Sequence, residues 1–158
     1  PQPSSDQLGR LTRVCRIGQV EVQQFVPGSR DKVFATYADY LQWPQWAGSF
    51  KVELQRPGQP TNGIGCVRVI RGAGLTMVEE IDGFDPPSSL SYRLLTGLPL
   101  RDYTSRVLFT AVNGGTHITW RSTFLPKVPG TGWALEALVR SMFSRTLKGL
   151  ATKFAHGH

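Results

Sequence analysis

Cysteine and histidine are scarce in this chain of 158 residues, which has two of the former and three of the latter. Cys15 and Cys66 lie far apart, without the paired spacing of a zinc site or of a disulfide framework. We therefore expect no metal and no disulfide, but two buried or idle thiols. We also expect no cofactor, because the sequence has no Gly-x-Ser-x-Gly elbow, no phosphate-binding glycine loop and no Rossmann fingerprint.

Long apolar runs are also missing. No segment approaches the roughly 20 apolar residues that a membrane-spanning helix needs. The first 13 residues are polar and lack the apolar core of a signal peptide. We expect a flexible N-terminal segment over residues 1–13, a single domain over residues 14–158 and a cytoplasmic location.

Acidic residues are outnumbered by basic ones, 11 to 18, which gives a net charge of +7. Single-stranded nucleic acid needs exposed aromatic side chains for stacking, and here the aromatic residues fall mainly on the inner sides of the predicted strands. Four arginines on the opposite sides indicate cross-strand ion pairs on a solvated face: Arg68, Arg93, Arg106 and Arg121. We expect no nucleic-acid partner, and the sequence specifies no protein partner.

The predicted C-terminal helix carries a basic side that has two interpretations. Its members are Arg140, Arg145, Lys148 and Lys153. A solvated helix face is one interpretation, and contact with a phosphate group or an acidic membrane surface is the other.

Alternation and turn residues predict one early strand, a short helical stretch, six further strands and a long terminal helix. Ser29 can cap a helix over residues 30–37, and a second short helix must end near Trp43 because Pro44 follows. The strands are predicted at residues 18–26, 50–54, 65–71, 75–81, 90–94, 103–112 and 116–124. The helix over residues 132–154 has one apolar stripe: Leu135, Leu138, Val139, Met142, Leu150 and Phe154. One helix cannot fill the concave face of so many strands, so we expect a cavity.

Several motifs along the chain resemble the polyketide cyclase/dehydrase-like branch of the START-related (SRPBCC) superfamily, over about residues 20–154. They are Asp31-Lys32-Val33-Phe34-Ala35, Trp43-Pro44-Gln45-Trp46, Gly63-Ile64-Gly65-Cys66-Val67-Arg68, Glu80-Ile81 through Asp85-Pro86-Pro87 to Leu90-Ser91-Tyr92, and Gly115-Thr116-His117-Ile118-Thr119-Trp120. The resemblance implies an α+β helix-grip fold, in which a curved seven-stranded antiparallel sheet wraps around a long C-terminal helix, with two short helices after the first strand. It also implies a ligand cavity, but it transfers no catalytic residue to this chain.

Strand alternation and the helix stripe predict which side chains reach that cavity. The candidate ligand-binding residues are Trp46, Phe50, Val67, Val69, Arg71, Met77, Glu79, Tyr92, Leu94, Tyr103, Val107, Phe109, Trp120, Phe124, Leu135, Leu138 and Met142.

Glu79 is the candidate for catalysis. A carboxylate on an apolar wall has a raised pKa, as a general acid or base near neutral pH requires, and Arg71, Tyr92 or Tyr103 could be its partner. We favour two simpler arrangements, because register is weakly fixed by sequence. In one, a bulge turns Glu79 outward and Glu80 inward; in the other, Glu79 is ion-paired at the cavity mouth.

Three functions follow from these expectations. The leading one is binding, and with it transport, of a hydrophobic or amphipathic small molecule such as a lipid, an isoprenoid or a polyketide-like compound. The second is a cyclase, aromatase or dehydratase that uses a cavity acid or tyrosine. The third is a protein-interaction module in which the cavity is collapsed.

Overall fold

A computed structural model describes residues 17–156, so the predictions for residues 1–13 and for Cys15 lie outside the described residues. The structure contains seven strands, two α-helices and one 3₁₀ helix. In chain order they are β1 (Gly18–Val26), α1 (Arg30–Ala38), the 3₁₀ helix (Tyr40–Gln45), β2 (Lys51–Arg56), β3 (Val67–Gly72), β4 (Leu75–Asp85), β5 (Ser89–Thr96), β6 (Leu100–Val112), β7 (Gly115–Pro126) and α2 (Gly132–His156).

All seven strands form one antiparallel sheet in the order β1-β7-β6-β5-β4-β3-β2. The sheet is open, with β1 and β2 at its edges. Helix α2 covers the β1 edge, where Glu136 accepts a hydrogen bond from the Gln19 N–H at 3.2 Å and Arg140 donates one to the Glu21 carbonyl at 3.1 Å. The predicted α+β helix-grip fold is confirmed.

One end of the concave face is filled by α1 and the 3₁₀ helix. Phe34 packs edge-on against Phe109, with ring centroids 5.0 Å apart, and Tyr37 packs against Trp43, Phe109 and Trp120. The 3₁₀ helix ends at Gln45, two residues beyond Trp43, near which the sequence predicted its end. It tolerates Pro44 because the N–H groups of Trp46 and Ala47 both bond to the Trp43 carbonyl, so the turn closes without a donor from proline.

Helix α2 contacts the sheet through a stripe that only partly matches the predicted one: Leu135, Val139 and Leu150 are buried as predicted. Phe143 stacks on Trp120 with ring centroids 4.1 Å apart, and Leu147 is fully buried, although neither belonged to the predicted stripe. Leu138, which did belong to it, is 38% exposed, and Met142 is only partly buried. The helix therefore packs along one side, while a neighbouring side remains free of sheet contacts.

Candidate functional site

A cavity of about 770 Å³ lies between the concave face of the sheet and α2. Its wall is mainly apolar and aromatic, with contributions from the 3₁₀ helix, several strands and α2. Exposed lining residues mark its opening, where α2 faces the loop before β2 and the β3–β4 hairpin: Gly48, Ser49, Ala73, Leu138, Ser141 and Arg145. The predicted cavity is thus present.

Many of the predicted binding residues line this cavity. They are Phe50, Met77, Glu79, Tyr92, Leu94, Tyr103, Trp120, Leu138 and Met142. Val107, Phe109, Phe124 and Leu135 are instead buried in the solid part of the core, and Trp46 packs against Trp43 outside the cavity wall. Contact of any of these residues with a ligand stays a prediction.

Strand β3 presents the side opposite to the predicted one. Val67 and Val69 are buried but do not line the cavity, and Arg71 is exposed on the convex face, where it pairs with Glu53. The hairpin register explains the correction, because directly opposed residues of an antiparallel pair share a face and Ile70 is opposed to Met77. The same register pairs Arg68 with Glu79 and so moves Arg68 from the predicted solvated face into the cavity.

Arg68 is fully buried and has one hydrogen-bonded partner. Its Nε donates to Glu79 Oε1 at 2.9 Å. The guanidinium carbon also lies 4.6 Å from the ring centroids of Tyr40, Trp43 and Tyr92, within cation–π distance of each. Both terminal nitrogens, Nη1 and Nη2, are buried without a hydrogen-bond partner. A buried, unpaired donor on a charged group is costly, so these nitrogens are ready to receive acceptor atoms.

Glu79 is 5% exposed and faces the cavity, whereas Glu80 lies on the convex face. The arrangement with an inward Glu80 is therefore wrong. Glu79 is ion-paired, as the other arrangement predicted, but the pair with Arg68 is buried and does not lie at the cavity mouth. Burial raises the pKa of the Glu79 carboxyl, and Arg68 opposes that rise. Hydrogen bonds from Arg93 and Arg56 lower the pKa of Glu80. Two adjacent glutamates thus have opposite electrostatic environments.

The tyrosines around the ion pair stay neutral near neutral pH. Burial raises the pKa of Tyr37, Tyr40 and Tyr92 above the ordinary value, and it raises the pKa of Tyr103 to about 12. The Tyr37 hydroxyl is buried without a hydrogen-bond partner, as the two Arg68 nitrogens are. The site therefore offers neutral hydroxyl groups beside one fixed positive charge.

Among the described residues 17–156, no group of three or more histidine, cysteine, aspartate or glutamate side chains is placed to hold a metal ion. No helix in that part of the chain is long and apolar enough to cross a membrane. Cys66 also lies in the described part of the chain; it is buried and forms no disulfide, and burial raises the pKa of its thiol.

Sequence reasoning missed several lining residues, among them Trp43, Arg68, Ile70, Phe143 and Thr146. A signal for two of them was present. Gly72-Ala73-Gly74 marks a tight hairpin, and a two-residue turn at Ala73 and Gly74 puts Arg68 opposite Glu79 and Ile70 opposite Met77. The place of Trp43 in the cavity wall depends on how the 3₁₀ helix packs. The places of Phe143 and Thr146 depend on the rotation of α2 about its axis.

A curved antiparallel sheet, a long C-terminal helix lying across it and a ligand-sized cavity between them define a helix-grip protein. The sequence over residues 18–155 matches the family described as polyketide cyclase / dehydrase and lipid transport. The chain belongs to this family.

Solved structures share the fold at low sequence identity. An aromatase/cyclase named Zhui from a Streptomyces species aligns with a TM-score of 0.75 and 20% identity, over 89% of this chain and 94% of that one. A START superfamily protein from Mycobacterium smegmatis has a TM-score of 0.74 and 12% identity, over 87% and 97%. The protein XoxI from Bacillus cereus has a TM-score of 0.73 and 18% identity, over 88% and 96%. No curated protein matches the sequence.

Proposed function

We propose that the protein binds an amphipathic small molecule, such as a lipid, an isoprenoid or a polyketide-like compound, in the cavity between the sheet and α2. The observation that carries this proposal is the buried guanidinium of Arg68, which contributes to the wall of a mainly apolar cavity and has two nitrogens without a hydrogen-bond partner. An apolar body would occupy the space lined by residues such as Met77 and Leu94. An oxygen-bearing head group would accept hydrogen bonds from Arg68.

The dimensions support a molecule of lipid or drug size. Ligand cavities usually measure about 300–1,000 Å³, and this cavity of about 770 Å³ lies within that range. Affinity would come from apolar burial, at roughly 25 cal/mol per Å² before the costs of association. Specificity would come from the few polar groups, because an unpaired buried donor discriminates against a ligand that leaves it unpaired.

Binding of the neutral fluorescent probe N-phenyl-1-naphthylamine tests this proposal. Leu94 lines the cavity and Leu95, the next residue of β5, is exposed on the other side of the strand. We expect wild-type protein and Leu95→Trp to bind the probe equally, and Leu94→Trp to bind it much more weakly because the added ring fills the cavity. No binding by wild-type protein, or equal binding by both variants, would contradict the proposal. Native mass spectrometry of freshly purified protein would identify a ligand that copurifies.

A second candidate is catalysis on a poly-ketone chain, as in a cyclase, aromatase or dehydratase. It is favoured by Glu79, whose pKa is raised by burial and which lies in the cavity beside a cation. Glu79 could move a proton while Arg68 stabilises negative charge on a substrate oxygen. If Glu79→Gln leaves the turnover of every accepted ligand unchanged, this role is wrong.

A protein-interaction module and a membrane-contact role have less support. A module with a collapsed cavity requires a filled interior, whereas the interior is open here. Membrane contact through the basic side of α2 stays a proposal. All four of its basic residues are exposed, but Arg140 donates to the Glu21 carbonyl and Arg145 lines the cavity.

A further inference from the structure

The charges on the cavity wall determine which head group the cavity favours. The charged residues among its lining are Arg68, Arg145 and Glu79, so the lining carries one positive charge more than negative. Arginine remains protonated at any ordinary pH, whereas Glu79 can be neutralised by taking up a proton. The tyrosines near Arg68 and the Cys66 thiol have raised pKa values and add no negative charge near neutral pH.

The contacts of Arg68 leave one edge of its guanidinium without a hydrogen-bond partner. Aromatic rings of Tyr40, Trp43 and Tyr92 approach the group, and Glu79 occupies the Nε position. The free edge carries Nη1 and Nη2. A carboxylate matches such an edge, because its two oxygens can accept two parallel hydrogen bonds from the two nitrogens. An alcohol has one oxygen and no charge, so it leaves part of the edge unpaired.

We infer that the ligand is a monocarboxylate amphiphile, such as a fatty acid or another apolar acid, whose carboxylate binds the Nη1–Nη2 edge of the buried Arg68. This inference rests on the proposed function and names the class of its ligand. Glu79 competes with the incoming carboxylate for the same cation. It therefore sets how strongly an anion is accepted, and Arg145 at the opening attracts the anion from solution.

Displacement of N-phenyl-1-naphthylamine by matched 12-carbon ligands tests the inference. We expect dodecanoate to displace the probe at a concentration lower by about tenfold or more than dodecan-1-ol, since hydrogen bonds to a charged donor discriminate by that order. Dodecylammonium should be the weakest of the three, because its charge repels Arg68 and Arg145. Equal potency of dodecanoate and dodecan-1-ol would overturn the inference while leaving the proposed function standing. Failure of all ligands and of the probe would overturn both.

Variants identify the group that recognises the carboxylate. Arg68→Met should bind dodecan-1-ol and dodecanoate with similar affinity, whereas the exposed control Arg71→Met should keep the wild-type preference. Glu79→Gln should keep or increase that preference, because the competing carboxylate is gone and its amide oxygen can still accept from Arg68 Nε. Loss of the preference in Arg71→Met or in Glu79→Gln would overturn the assignment to Arg68. If Arg68→Met fails to fold, the comparison of wild-type protein with Glu79→Gln decides the matter.

Discussion

Replacing the buried ion pair by apolar side chains should not destabilise the empty protein. Glu79→Met alone leaves the Arg68 guanidinium buried without a counter-ion, and such a change costs about 3–5 kcal/mol. Arg68→Met alone should cost less, because the Glu79 carboxyl, whose pKa is already raised by burial, can take up a proton. The double variant removes both charges and both unpaired nitrogens, so we expect it to range from neutral to about 4 kcal/mol more stable than wild type.

The cation–π contacts of Arg68 oppose this gain. Three ring centroids lie 4.6 Å from the guanidinium carbon, and each contact contributes about 0.5–2 kcal/mol. A methionine sulfur at position 68 recovers part of that energy against the same rings. Urea unfolding followed by tryptophan fluorescence measures all four proteins of the cycle. A double variant as unstable as Glu79→Met would contradict this expectation, because the pair would then stabilise the fold.

The exposed pair Arg71–Glu53 provides the matched control, with Arg71 on β3 like Arg68 and Glu53 on the neighbouring β2. Its side chains are 53% and 58% exposed. Exposed ion pairs contribute about 0–1 kcal/mol, so Arg71→Met, Glu53→Met and their double variant should all lie within that range of wild type. A strong destabilisation here would show that the method measures strand disruption and not charge burial.

Three further predictions concern the scaffold and the two glutamates. Gly149→Ala should destabilise the fold by about 1–3 kcal/mol despite the helix preference for alanine, since its Cβ would lie 2.1 Å from the Trp46 carbonyl oxygen; a higher melting temperature would contradict this. Ala73→Asn should stabilise the hairpin by about 0.5–1 kcal/mol, because Ala73 has φ 51 and asparagine tolerates that conformation better; a lower melting temperature would refute it. The pKa of Glu79 is raised in the folded protein, so its contribution to folding stability is lost as pH rises from about 4. The pKa of Glu80 is lowered, so its contribution is lost as pH falls. Relative to wild type, Glu79→Gln should become more stable with rising pH and Glu80→Gln less stable. Chemical denaturation at several pH values measures both differences. Parallel plots of unfolding free energy against pH for the two variants would contradict the prediction.

The fold could be predicted from the sequence because local signals agreed along most of the chain. Alternation in β5 and β7, the glycines at residues 114 and 115, and the apolar periodicity of α2 each indicated one element, and the structure contains each of them. The cavity could be predicted because one long helix cannot fill the concave face of seven strands. These features depend on periodicity within single elements, which a sequence displays directly.

The chemistry of the site depended on relations between elements, and there the prediction was wrong for β3. Val67 and Val69 are more apolar than Arg68, so alternation alone predicted that Arg68 faces outward. Two valines are buried on the convex face, while Glu79 and three aromatic rings stabilise an inward Arg68. Functional sites often break the local hydrophobic rule in this way. Cross-strand register from the β3–β4 turn was the stronger signal, because it requires Arg68 and Glu79 to share a face.

A crystal structure of the protein grown with dodecanoate would test carboxylate binding by Arg68 most directly. We predict density for one extended chain between the sheet and α2, with both carboxylate oxygens within hydrogen-bond distance of Arg68 Nη1 and Nη2. An interior closed by side chains, or dodecanoate bound only on the convex face, would contradict this prediction.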